Sequence, residues 1–200
     1  MISAFILILS VTGIALNHAQ KLGLYETKVE ARWLLDGYGM NPESPPINYT
    51  IGSTRLLWLE NALFFNGKRI ADTSPLKGGA RTQAIIIAAT AEELILLTPA
   101  GEIVERLNGP SIPSGNIQNI ALGDGKNLLV KTSAGLFGYD ESILDFSLLA
   151  TVDPEPIWSA PSEPKPDELE IALQYYRGEG LSLYRIILDI HSGRLFTRLG

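Results

Sequence analysis

The sequence predicts a mainly β protein of propeller-like β-meander repeats, with an N-terminal membrane helix and a C-terminal helix plus β-hairpin. Three observations predict it. Gly67, Gly101 and Gly135 recur at a period of 34 residues, each in a turn after an apolar run. Residues 2–16 are apolar almost throughout, and the first charged residue is Lys21. Residues 167–176 place apolar side chains at helical spacing, and the stretch after Gly180 reads as strand, turn and strand. These divide the chain into a membrane helix at 1–20, a β-repeat body at 21–152, a Pro-rich linker at 153–166, and a helix with a β-hairpin at 167–200.

The opening segment admits three readings. A membrane helix needs about 20 apolar residues, and this run is shorter. It reaches full length if the chain begins inside the helix. A signal peptide fits the length but lacks a basic start and a clear small-x-small cleavage site. A buried core helix is the third reading. Gly13 suits the higher glycine content of membrane helices.

Beyond Lys21 a polar stalk leads to a first strand near Ala31–Leu35, and residues 37–46 form a Gly/Pro-dense loop. The repeat is clearest between residues 85–101 and 119–135. Ile86 matches Ile120, Leu94 matches Leu128, Thr98 matches Thr132, and Ala100-Gly101 matches Ala134-Gly135. Each unit is an apolar run, a turn such as Asp124-Gly125, a second run, and a tight turn into a third strand. Asn66-Gly67 supplies that turn in the first unit, because the pair tolerates positive φ. Three short strands per 34 residues is the pattern of stacked blade-like sheets. Five prolines between Asp153 and Pro166 deny that segment a continuous hydrogen-bond ladder, so it reads as an extended linker. Asp167 and Glu170 then make a capping box, and Leu169, Ala172, Leu173 and Tyr176 form one apolar helical face, which favours helix over the strand that the alternation of Leu169, Ile171, Leu173 and Tyr175 also allows. Ser182–Ile190 reads as a strand, His191-Ser192-Gly193 as a turn, and Arg194–Arg198 as the returning strand.

Composition excludes several function classes. The net charge is −6 and no Lys/Arg cluster occurs, so nucleic acid and polybasic lipid contacts are not expected. No cysteine is present, which removes disulfides, thiol nucleophiles and zinc–thiolate sites. No G-x-S-x-G elbow supports a Ser–His–Asp triad. Gly123-Asp124-Gly125 lacks the third glycine of a dinucleotide fingerprint. Asp140, Glu141 and Asp145 lack calcium-loop spacing. Asp167, Glu168 and Glu170 read as a solvated helix start rather than a metal site. Asn48-Tyr49-Thr50 is a glycosylation sequon, a tripeptide common by chance. Trp33, Trp58 and Trp158 read as core anchors. No catalytic residue and no metal site is expected. The two histidines, His18 beside the apolar helix and His191 in the expected turn, are the candidate cofactor ligands. Each has a plainer reading, as an interfacial residue and as a turn-stabilising side chain.

Two stretches carry a resemblance. Residues 6–18 (ILILSVTGIALNH) are similar to the first membrane helix of the PepSY-associated transmembrane helix family. Residues 180–200 (GLSLYRIILDIHSGRLFTRLG) resemble the segment before that family's next membrane helix, and Leu188–Leu195 look like the closing hairpin of a PepSY domain. The resemblance implies an anchor in the bacterial inner membrane and a domain facing the periplasm. It also implies that this chain lacks the family's N-terminal start and following helix. The function it implies is a non-catalytic accessory or binding module of the envelope with an envelope protein partner, linked to siderophore or metal uptake. Two alternatives come with it: part of a haem-dependent ferric reductase with His18 near the cofactor, or a PepSY-like regulator of a peptidase.

Overall fold

Among the described residues, short apolar runs broken by tight turns and short loops form twelve antiparallel strands. A computed structural model describes residues 2–82, 84–123, 127–140, 145–178 and 180–195. The expected Asp124-Gly125 turn, Glu141 and residues 196–198 of the expected final strand lie outside the described residues. The chain divides into two compact units, one of Met1–Pro42 with Leu173–Gly200 and one of Glu43–Ala172.

The larger unit holds three four-stranded sheets, each ordered as the strands follow in sequence. The first contains β1 (Ile47–Ile51), β2 (Thr54–Leu59), β3 (Ala62–Phe65) and β4 (Lys68–Asp72). The second contains β5 (Gly78–Arg81), β6 (Ile86–Ala89), β7 (Glu93–Leu97) and β8 (Ile103–Asn108). The third contains β9 (Ile117–Leu122), β10 (Leu128–Thr132), β11 (Gly135–Asp140) and β12 (Asp145–Leu149). The mainly β expectation is met, and each sheet is a meander. Asn66 and Gly67 both take positive φ, 48° and 82°, in the two-residue turn that closes β3 on β4.

The 34-residue repeat is offset from the sheets. Matching Ile86 to Ile120 and Leu94 to Leu128 equates β6 with β9 and β7 with β10. β5 therefore has no counterpart strand ahead of β9. Its place is taken from the Pro-rich segment. Trp158 forms an antiparallel bridge with Ala121, and Ser159 N donates to Ile120 O at 3.0 Å. In the second sheet Ala80 pairs with Ile87, the residue 34 positions before Ala121. The segment read as a linker is extended but bound. Asn119 Nδ2 donates to Ser159 O at 3.0 Å, and Gly79 N donates to Ser159 Oγ at 2.9 Å. Further along, Ser162 N donates to Asn48 O on β1 at 2.7 Å.

The core explains the sequence of the second sheet. Ile86, Ala88, Ile95 and Leu97 pack toward Leu56, Trp58, Leu63 and Phe65 of the first sheet. Ile87, Ala89 and Leu94 pack toward Ile117, Ile120, Leu128 and Val130 of the third. A strand covered on both faces must be apolar at successive positions, which is why β6 reads Ile-Ile-Ala-Ala without alternation. Among the described residues, two ion pairs of this unit join separate elements. Arg106 makes a two-pronged contact with Glu93, Nε to Oε2 at 2.9 Å and Nη2 to Oε1 at 2.7 Å. Thr73, just after β4, donates to the same Oε1 at 2.7 Å, tying the first sheet to the second. Arg55 Nε donates to both carboxylate oxygens of Glu168 at 2.7 Å. Glu168 is 5% exposed, so the expected solvated helix start is corrected at this residue. The Arg55 guanidinium satisfies the carboxylate there.

The smaller unit is helical. It contains α1 (Ile2–Asn17), α2 (Arg32–Gly37), the last part of α3 (Pro166–Arg177), and α4 (Leu183–His191). Leu34, Leu35, Leu181 and Ile186 form its core. The strand expected at Ala31–Leu35 is a helix. Ala31, Leu34, Leu35 and Tyr38 all join this core, a spacing that suits a helical turn. The expected C-terminal β-hairpin is also corrected, since residues 183–191 are helical. Ser182 caps the helix by accepting from Arg185 N at 3.3 Å, and Ile186, Asp189 and Ile190 turn inward at i, i+3, i+4. Asp189 is fully buried and accepts from Tyr38 OH at 2.8 Å and from Arg185 Nε at 3.3 Å. The helix expected after Asp167 is present as α3, which begins at Pro166.

α1 forms where an apolar helix was expected. Sixteen residues extend about 24 Å at 1.5 Å each, against a hydrocarbon core of about 30 Å. Among the described residues no helix is long and apolar enough to cross a membrane. Phe5, Ile6, Leu7, Val11 and Ile14 are each more than half exposed.

Candidate ligand groove between the second and third sheets

The core between the second and third sheets opens outward into a cavity of about 620 Å³. Ile87, Leu94, Leu96 and Leu107 supply its wall from the second sheet, and Leu128 and Phe146 from the third. Strand pleating sets this up. Ile87 on β6 lies opposite Leu96 on β7, and Leu94 lies opposite Leu107 on β8, so one face carries branched apolar side chains across three strands. The volume is in the ordinary range of small-molecule sites, about 300–1,000 Å³.

Polar groups mark the rim. Glu105 on β8 and Asp145 on β12 line the cavity from opposite sheets. Among the described residues neither carboxylate has a cationic side-chain partner, and Asp145 Oδ1 accepts from the adjacent Phe146 N at 2.7 Å. Tyr139 and Phe146 are a cross-strand pair on β11 and β12, with ring centroids 5.3 Å apart and planes at 66°. That edge-to-face contact leaves ring surface along the groove wall.

The wall on the second sheet is held by the Glu93–Arg106–Thr73 contacts. Burial alone would raise the Glu93 carboxyl, but hydrogen bonds from Arg106 and Thr73 and the Arg106 charge bring it below the usual glutamate range. The Arg106 guanidinium is raised in turn, chiefly by its hydrogen bond to Glu93.

No protein-family model matches the chain, and no curated protein matches it.

Neither histidine lines this groove. His18 Nδ1 lies 3.0 Å from Ile14 O, a carbonyl that can only accept, so Nδ1–H donates to it. His191 Nδ1 lies 2.8 Å from Thr12 Oγ1, whose hydroxyl is 2.7 Å from Ile8 O. If Thr12 donates to Ile8, His191 Nδ1–H donates to Thr12, which pins α4 against α1. The expected turn position of His191 is the last residue of α4 instead. The two imidazoles contact α1 at different residues, His191 at Thr12 and His18 at Ile14. Among the described residues no group of three His, Cys, Asp or Glu side chains could hold a metal ion.

The asparagine of the sequon is buried. Asn48 is 1% exposed, and its Nδ2 donates to Ser162 Oγ at 2.8 Å. Trp58 and Trp158 differ in role. Trp58 is a core residue whose Nε1 donates to Thr73 O at 2.9 Å, whereas Trp158 sits at the free edge of β9. Trp33 is 60% exposed and anchors no core. Glu105, Tyr139 and Phe146 carry no sequence motif. The signal that was present is the short β11–β12 hairpin, which sets Tyr139 opposite Phe146 and Asp140 opposite Asp145.

Proposed function

We propose that the protein is a membrane-anchored binding module that holds an apolar ligand in the groove between its second and third sheets. The observation that carries this is the groove itself: a ligand-sized cavity with aliphatic walls contributed by two sheets and a polar rim. The exposed apolar helix α1 supports the anchoring. α1 meets α4 through Thr12 and His191, yet Phe5, Ile6, Leu7, Val11 and Ile14 stay more than half exposed, and the apolar layer of a bilayer accepts such a face. On the resemblance of residues 6–18 to the first helix of the PepSY-associated family, the membrane is the bacterial inner membrane and the sheets face the periplasm. The 34-residue period and the consecutive meander sheets favour a propeller-like relation among the three sheets.

The test is calorimetric titration of the full chain, held in phospholipid nanodiscs, with 1-naphthalenemethanol, a neutral apolar probe. Saturable binding beyond that of empty nanodiscs is expected, and Leu96→Trp, which fills the groove, should abolish it. Binding that survives Leu96→Trp unchanged, or no binding at all, rejects the groove as the site.

A further inference from the structure

We propose that this groove selects an organic cation: a ligand with an apolar body and one positively charged head seated at the Glu105–Asp145 rim. The inference rests on the ligand-binding reading of the groove and adds the class of ligand. Three features converge on it. The two carboxylates line one cavity from opposite sheets, and among the described residues no cationic side chain forms an ion pair with either. The nearest strand cation in sequence, Arg106, is committed to Glu93 by two hydrogen bonds. Beside Asp145, the Tyr139–Phe146 pair offers aromatic faces, which attract a cation through the ring quadrupole, most strongly when the cation is poorly hydrated.

The alternatives fit less well. An anionic ligand would meet two like charges in a chain of net charge −6. A bare metal ion needs a dense shell of oxygen ligands, about six to eight for calcium, and among the described residues no group of three His, Cys, Asp or Glu side chains could hold one. A hydrated ion would gain nothing from Ile87, Leu94 and Leu96, whereas a hydrocarbon or aromatic body buries against them. The chemistry that satisfies rim and wall together is a substituted ammonium or similar organic cation.

Three probes with one ring system and different heads separate the possibilities in the full chain in nanodiscs: (1-naphthylmethyl)trimethylammonium, 1-naphthalenemethanol and 1-naphthalenesulfonate. The cation is expected to bind about tenfold tighter than the alcohol, and the sulfonate more weakly than both. The double variant Glu105→Gln with Asp145→Asn keeps the side-chain shapes and the Oδ1 acceptor for Phe146 N. It should bring the cation down to the affinity of the alcohol and leave the alcohol unchanged, with an unaltered melting temperature confirming the fold. Equal affinity for all three heads overturns the inference while leaving the groove as a ligand site, as does a cation preference that survives the double variant. Failure of all three to bind overturns the ligand-binding reading itself, and this inference with it.

Discussion

Trp158 occupies on Ala121 the position that Ala80 occupies on Ile87 one repeat earlier. The Pro-rich segment thus supplies to the third sheet the edge that β5 supplies to the second. It continues to β1, where Asn48 Nδ2 reaches Ser162 Oγ across 114 positions of sequence. One segment touches the first strand of every sheet, through Asn48, Gly79 and Asn119.

Asn48 is the residue on which that path depends most visibly. Asn48→Ala removes the donor to Ser162 from a buried site and is expected to destabilise the protein by about 1–3 kcal/mol in denaturant titrations. The same burial predicts that the folded protein, produced in a glycosylating host, keeps its unmodified mass at Asn48. A glycan at this residue on folded protein would contradict the Asn48–Ser162 contact.

Gly101 shows why the repeat carries glycine. Its φ is 85°, and a Cβ there would lie 2.5 Å from Phe65 Cδ1, on a ring that cannot yield as a flexible chain end does. Gly52 has a similar φ of 62° but open space around it. Gly52→Ala is expected to cost about 1 kcal/mol from backbone conformation alone, and Gly101→Ala about 2–4 kcal/mol. Equal losses in the two variants would show that the Phe65 contact is not limiting.

Much of this fold was legible, and the errors have identifiable causes. The period of 34 and the Asn66-Gly67 turn located strands β3, β4 and β6 to β11, because turn chemistry is local. The grouping of strands into sheets was not legible, because Trp158 joins the third sheet through tertiary contacts that no repeat encodes. Ser182–Ile190 is a short, mostly apolar segment broken by Arg185 and Asp189, and such short runs leave strand and helix ambiguous. The Ser182 cap and the inward Asp189 decided for helix. Glu168 looked solvated because its partner, Arg55, lies 113 positions away. Of the groove, the aliphatic walls were visible as apolar runs, but the rim was not. Glu105 and Asp145 come from different sheets, and only folding places them on one cavity.

Acidification should weaken the tie between the first and second sheets. The Glu93 carboxyl is depressed in the folded protein. Its contribution is therefore fully present above the unfolded glutamate range, about pH 4.3, and is lost as the pH falls through the lower folded value. Arg106 is partly exposed, so the effect is expected to be below about 1 kcal/mol. Denaturation midpoints of wild type and Glu93→Gln between pH 6 and 3 should converge on acidification. A constant gap between the two curves would show that Glu93 does not titrate with this linkage.

The exposed face of α1 predicts lipid association. The full chain should float with vesicles of phosphatidylethanolamine and phosphatidylglycerol, and Leu7→Lys with Val11→Lys should reduce the bound fraction at least about tenfold, given the cost of lysine in hydrocarbon. Undiminished flotation of the double variant would assign the association to another surface.

The most direct measurement of the central claim is photolabelling of the full chain in nanodiscs with a small neutral apolar diazirine, followed by peptide mapping. The account predicts label on peptides containing Ile87, Leu94, Leu96 and Phe146, and its loss from those peptides in the Leu96→Trp variant. Label confined to α1, with none on these strands, would contradict it.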